Sequence, residues 1–397
     1  MNFEKIQTYV SYCVLCVSLN LTFQMAENFQ IRDVFNPEAV KALASRFKKA
    51  YPAFDESNFI DFINPKLPDL SYSERLQLIT EAQEKFLPKD FPTAAKIIVD
   101  SLLPAYKSDV LVDTNDRFIV ATKAAFISNN GLDHFDISMK ALYEITQRLT
   151  AEWGVRAFFL KYPEKTLAIF KKWAKDKNPH VRRLVSEGSR PYLPWGKKLP
   201  QFEKDPSPTL ALLELLKNDS SEYVRKSVAN HLNDHAKKHP DLVVDTLKRW
   251  DAELSAKESK RMIKHALRTL LKQGHSGALD ILGFKKGAKV TIKNLVSEDV
   301  VKVGETLNFS FDVVSTGNSK QSLMIDYIIY YQKANDNLAP KVFKMTTKDI
   351  AAGATLSFKK KQSFKVITTR KFHLGLHQLA IQVNGEELAK IDFRLIA

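Results

Sequence analysis

The chain has 397 residues, a formal net charge of +15, 44% hydrophobic residues and two cysteines. That composition excludes intrinsic disorder and a disulfide framework for the body, and ~150 residues per domain suggests two or three domains. The positive excess does not choose a fold, but it favours a polyanionic partner, nucleic acid or an anionic membrane surface. It is shared, with +6 on residues 287–397 and +9 on the rest.

Cys13 and Cys16 lie near the start. Their spacing suits redox or zinc chemistry, but neither a second pair nor a βαβ pattern accompanies them, which argues against that reading. The apolar run from Tyr9 to Phe23 is broken by Ser11, Ser18, Asn20 and Thr22. It falls short of the ~20 apolar residues of a membrane span. Lys5 gives a thin positive start for a weak signal peptide. The preferred reading starts the protein at Met25 and treats residues 1–24 as an extension. No stable membrane partner is expected.

Residues 25–285 read as helical. Pro37 sits inside a helix start, followed by Ala39, Val40, Leu43 and Phe47 at helical spacing. Further helices are predicted to begin near Ser73, Phe91, Asp116, Asp136, Thr150, Lys165, Pro179, Pro208, Ser221, Asp241 and Ala256. A repeat is visible. Asp176 precedes Val181-Arg182 and Asp219 precedes Val224-Arg225 at the same distance, and the two Val-Arg pairs are 43 residues apart. A further 43 residues leads to Leu267-Arg268. HEAT-like helix pairs repeat at ~40–47 residues and stack into a solenoid, because one pair cannot bury its apolar face alone.

Residues 286–397 change character. Val290–Ile292, Thr306–Val313, Ile325–Tyr331, Leu356–Phe358, Leu376–Val383 and Ala389–Phe393 alternate with period two. About seven short antiparallel strands in ~110 residues describe an immunoglobulin-like β-sandwich. The fold class is therefore an all-α HEAT-like solenoid followed by a β-sandwich.

Phosphate loops, nucleophile elbows and zinc helices are absent from the sequence. Polar residues crowd the stretch from Thr150 to Asp241 instead. Glu152 and Arg156, four apart, are predicted to share a helix face, as are Arg183, Glu187 and Arg190. Trp195 falls on a stiff loop between Pro194 and Gly196. Asn230 and Asp234 share a face, with Asn233 beside them. Surface ion pairs, a core plug and helix caps would explain each cluster separately. Stacked as neighbouring repeats ~9–10 Å apart, they would line one patch of a concave face.

These segments resemble the AlkC-type branch of the HEAT-like-repeat alkylpurine DNA glycosylases. The likeness rests on Ala151-Glu152 through Arg156, Val181-Arg182-Arg183-Leu184, Ser186-Glu187-Gly188, Arg190-Pro191, Leu193-Pro194-Trp195 and Ser227 through Asp234. Some members also append an immunoglobulin-like domain. The resemblance implies monofunctional excision of cationic N3-alkylated bases, 3-methyladenine and 3-methylcytosine, from double-stranded DNA, without metal, cofactor or full base flipping. It places the functional acids on Glu152, Glu187 and Asp234 and the motif tryptophan on Trp195. Tyr192 stands where an arginine is expected and Trp153 where phenylalanine is usual. The first departure bears on one phosphate contact and not on the acidic patch.

An N3-alkylated base is already a good leaving group. Positive charge moves onto the deoxyribose as the glycosidic bond breaks, so carboxylates near C1′ stabilise it and one can orient water. Arg156, Arg190, Asn230 and Asn233 join Trp195 as expected substrate contacts. Arg182, Arg183, Lys197, Lys198, Arg225 and Lys226, with Arg190, are expected on phosphates. The sandwich is expected to close a clamp on DNA through Lys359, Lys360, Lys361, Arg370 and Lys371. A cap on the last repeat is its alternative role. A monomeric, cytoplasmic, nucleoid-associated enzyme is expected. The alternatives are a non-enzymatic scaffold for nucleic acid or protein, and an RNA-binding protein.

Overall fold

The computed structural model describes residues 30–106, 118–366 and 371–397. Cys13, Cys16, residues 1–24, the helix start near Asp116 and Arg370 lie outside the described residues.

Sixteen α-helices occupy the described part of the helical region. They are α1 Pro37–Ala50, α2 Glu56–Ile63, α3 Tyr72–Phe86, α4 Phe91–Asp100, α5 Val120–Asn130, α6 Phe135–Thr146, α7 Val155–Lys161 and α8 Pro163–Trp173. The rest are α9 Pro179–Gly188, α10 Pro200–Lys204, α11 Ser207–Leu216, α12 Glu222–His235, α13 Pro240–Glu253, α14 Lys257–Ala266, α15 Arg268–Lys272 and α16 Ser276–Ile281. Their starts follow local chemistry. The Asn36 side chain accepts from the Ala39 amide at 2.8 Å, and Pro37 supplies a preset φ at N1. Ser71 and Glu74 form a capping box on α3. Asn178 caps α9 by accepting from the His180 amide at 2.8 Å, again with proline following.

The 43-residue repeat has a physical meaning. Arg182 reaches back to the Asp176 carbonyl at 2.8 Å and forward to both oxygens of Asp219 at 2.6 and 2.9 Å. Arg225 donates to the Asp219 carbonyl at 2.6 Å. Each aspartate also accepts from the amide two residues on, at Asn178 and at Ser221. One Asp–Arg step therefore fixes a helix start and ties it to the next repeat. The third copy departs from this pattern. Leu267 breaks the expected long helix into α14 and α15, and Arg268 donates to the His265 carbonyl.

Among the described residues the sandwich has eight strands. These are β1 Val290–Ser297, β2 Val300–Lys302, β3 Thr306–Ser315, β4 Gln321–Gln332, β5 Leu338–Ile350, β6 Thr355–Ser363, β7 Gly375–Val383 and β8 Glu386–Ile396. One sheet runs β1-β3-β6 and the other β2-β8-β7-β4-β5. Leu307, Phe309, Phe311 and Val313 of β3 pack with Ile325, Tyr327, Ile329, Leu379, Ile381 and Phe393 as the core. β2, which pairs parallel to β8, and the edge strand β5 are additions to the predicted set.

The compact units divide earlier than the change of secondary structure. Among the described residues, 239–255, 263–366 and 371–397 form one unit, and 30–106, 118–238 and 256–262 the other. Within the first, Asn384 donates to the Lys285 carbonyl at 2.7 Å. Gly385 approaches Gly274 so closely that a Cβ on it would lie 2.2 Å from the Gly274 Cα. α13, α15 and α16 therefore pack in the same unit as the sandwich.

Candidate active site

All the predicted site residues lie in the unit built on α1–α12. α9 and α12 are consecutive repeat helices packed side by side. α9 presents Arg183 and Glu187, and Arg190 follows just past its end. α12 presents Ser227 and Asp234. Glu152 comes from the turn before α7 and not from the helix that carries Arg156, so the two do not share a helix face.

The three acids form one continuous charged row. Glu152 accepts from Arg183 and, at 2.8 Å, from Thr150. Arg183 reaches Glu187 at 3.5 Å. Glu187 accepts from Arg190 at 2.6 Å and from Ser227 at 2.6 Å. Arg190 donates through Nε to Asp234 at 2.8 Å, and Asp234 meets the exposed Lys237 at 3.1 Å. No carboxylate or arginine of the row is more than 8% exposed at its side chain. At low dielectric, three neighbouring carboxylates would repel one another strongly without the interleaved guanidinium groups.

The oxygens are not equally occupied. Glu187 and Asp234 use both of theirs. Glu152 takes both hydrogen bonds on Oε2, and among the described residues none falls on Oε1. Burial raises the Glu152 pKa despite the pull of Arg183, and Glu187 adds to the rise. Glu187 goes the other way. Burial alone would raise it, but Arg190 and Arg183 hold it at about 2.

Arg156 is fully buried and holds the chain beyond α9. It donates to the carbonyls of Gly188 at 3.1 Å, Arg190 at 2.7 Å and Pro191 at 3.4 Å, and also to that of Lys197. Burial, with Arg190 nearby, lowers it to about 10. The cradle fixes the loop that carries Trp195. Trp195 has a positive φ of 60°, is 41% exposed, and packs 6.1 Å from Trp153 and 6.2 Å from Tyr72 between ring centroids. Trp153 donates to the Pro194 carbonyl at 3.2 Å. A non-glycine residue in this conformation is uncommon, and the surroundings hold it there.

Arg183 and Arg190 were expected to face substrate or phosphate, but the carboxylates between them take their donors. Arg156 serves backbone carbonyls rather than substrate. Arg182 and Arg225 serve the repeat ladder. Lys197 and Lys198 are exposed, Lys226 and Asn230 are half-buried, and Asn233 is buried. At Tyr192, where an arginine was expected, the Lys237 ammonium lies 4.8 Å above the ring. Thr150, Tyr223, Tyr72 and Lys237 are neighbours that sequence reasoning did not single out.

Beneath the row, His231 is fully buried. Its Nδ1 meets the Ser186 carbonyl at 2.9 Å, so that nitrogen carries the proton, and Nε2 has no partner among the described residues. Burial, His235 and Arg190 hold its pKa well below 6.5. The unfolded histidine takes a proton below about 6.5, whereas the folded one stays neutral. Stability is therefore fully present above that pH and falls below it, by up to about 1.4 kcal/mol per pH unit. Glu187 adds a second loss only as pH falls from 4.5 toward 2. Melting temperatures at pH 7.5 and 5.5 check this, with the lower value expected at 5.5. Equal values would contradict it.

With this geometry in place, comparison with known proteins is informative. A family model described as DNA alkylation repair enzyme matches residues 147–270. A second, described as uncharacterised protein YhaZ, C-terminal Ig-like domain, matches residues 291–397. The chain belongs to the AlkC-type family of DNA alkylation repair enzymes with a C-terminal immunoglobulin-like domain. It is 37% identical over 369 residues to the uncharacterized protein YhaZ of Bacillus subtilis (strain 168), covering 92% of this chain and 99% of that protein. It is 36% identical to the Pseudomonas fluorescens alkylpurine DNA glycosylase AlkC, solved bound to DNA containing an abasic site analog. That match covers 92% of this chain and 99% of the other, with a TM-score of 0.84.

Proposed function

We propose that this protein is a DNA alkylation repair glycosylase that hydrolyses the N-glycosidic bond of cationic N3-alkylated bases, 3-methyladenine and 3-methylcytosine, in duplex DNA. The observation that carries this reading is the row Glu152–Arg183–Glu187–Arg190–Asp234, built from the turn before α7 and from the consecutive repeat helices α9 and α12, in a protein that also exposes Trp195. The similarity to a glycosylase captured on abasic DNA supports it.

The cationic base leaves without a general acid. Carboxylates fixed in advance then stabilise the positive charge on the deoxyribose at no reorganisation cost. Glu152 has the oxygen left over for a water or the sugar, and its raised pKa makes it a better base than Glu187. The Trp195 face attracts a cationic base by ~0.5–2 kcal/mol. On this reading the base is excised without full flipping. Lys197, Lys198 and Lys226 hold phosphates, and in the sandwich Lys359, Lys360 and Lys361, which line a trench with Asn308, Phe309 and the carboxylate of Glu298, serve the same task. The protein acts alone, in the cytoplasm, on nucleoid DNA.

The test is incubation with methylated duplex DNA and chromatography of the freed bases. Release of 3-methyladenine or 3-methylcytosine is expected. Intact DNA after exhaustive incubation would leave the scaffold reading in its place.

A further inference from the structure

The arginines near the carboxylate row are engaged inside the protein. Arg183 and Arg190 serve carboxylates, Arg156 serves carbonyls and Arg182 serves Asp219. An acidic row repels the DNA backbone, yet on the glycosylase reading the lesion sugar must come against it. Some donor close to the row has to hold the adjacent phosphate.

Tyr223 fits that need. It is the second residue of α12, half-buried, with its ring 5.1 Å from the Arg183 guanidinium carbon. His180 packs edge-on against it at 5.5 Å, and Tyr106 packs on His180 at 5.2 Å. The ring is thus fixed on two sides. Its hydroxyl makes no hydrogen bond among the described residues. Burial pushes the phenol up to about 12 against the pull of Arg183, with Glu152 and Glu187 adding to the rise. The group therefore remains a neutral donor beside the acids. Such a donor binds a phosphate oxygen without neutralising the carboxylates that the chemistry uses.

We propose that Tyr223 is a substrate-binding residue whose hydroxyl donates to a backbone phosphate of duplex DNA next to the lesion. The proposal rests on the glycosylase reading above. The test compares wild type with Tyr223→Phe, which keeps the ring on Arg183, in single-turnover excision from methylated duplex over a range of protein concentration. The half-saturating concentration is expected to rise about tenfold, the size of one lost hydrogen bond to a charged acceptor. The plateau rate and melting temperature are expected to hold. An unchanged half-saturating concentration overturns the proposal, and so does a loss confined to the plateau rate. Wild type that releases no base defeats the glycosylase reading instead. The phosphate contact is then decided by the affinity of the same two proteins for a duplex with an abasic-site analogue. Tenfold weaker binding supports it and equal binding overturns it.

Discussion

Glu152→Gln is expected to slow single-turnover release of 3-methyladenine by about 100–1000-fold while leaving affinity for abasic-analogue duplex within a few-fold. The amide keeps the shape of the carboxylate and still accepts from Thr150 and Arg183, which retains Glu187 as a second partner. What is lost is one fixed negative charge and the basic Oε1. Removing a preorganised charge where positive charge develops acts on the transition state more than on bound DNA. An unchanged rate for this variant would remove Glu152 from the chemistry.

Arg190→Met carries the largest expected effect on stability. Arg190 binds Glu187 and Asp234 at once, from two consecutive repeats, and burial without it leaves two carboxylates facing each other. Breaking a buried pair by removing one partner costs about 3–5 kcal/mol. For a unit of this size that lowers the melting temperature on the order of 10 °C. Calorimetry or circular dichroism measures it directly. A melting temperature equal to wild type would mean that Arg190 does not join the two repeats energetically. The family resemblance and the general chemistry of buried ion pairs agree on the importance of this residue. The structure shows it joined to both Glu187 and Asp234.

The parts of the fold that were legible in the sequence are those specified locally. Asn178-Pro179 marks a helix start because the cap and the preset φ lie within one turn. The 43-residue spacing was readable because each repeat uses the same Asp and Arg for the same local bonds. β5 was missed because it is an edge strand with Pro340, Lys341, Lys344 and Lys348, so it lacks the alternation of a half-buried strand. The packing of the last helices with the sandwich has no local signal, because it depends on contacts such as Asn384 with Lys285, 99 residues apart. At the site, resemblance marked the three acids. The carboxylate partners of the arginines were not legible, because a guanidinium has the same local signature whether it faces solvent or a carboxylate one repeat away. Arg183 meets Glu152 across 31 positions and Arg190 meets Asp234 across 44. Tyr223 has no sequence signal at all, since its interest comes from the ring neighbours that fix it and from its unoccupied hydroxyl.

The most direct measurement is a crystal structure of the full chain bound to duplex DNA with an abasic-site analogue. The deoxyribose at the lesion is expected against Glu152 Oε1, with Glu187 and Asp234 still joined through Arg190 and Trp195 facing the vacated base position. A lesion sugar seated elsewhere, with the acid–arginine row sealed from DNA by protein on every side, would contradict a chemical role for these carboxylates.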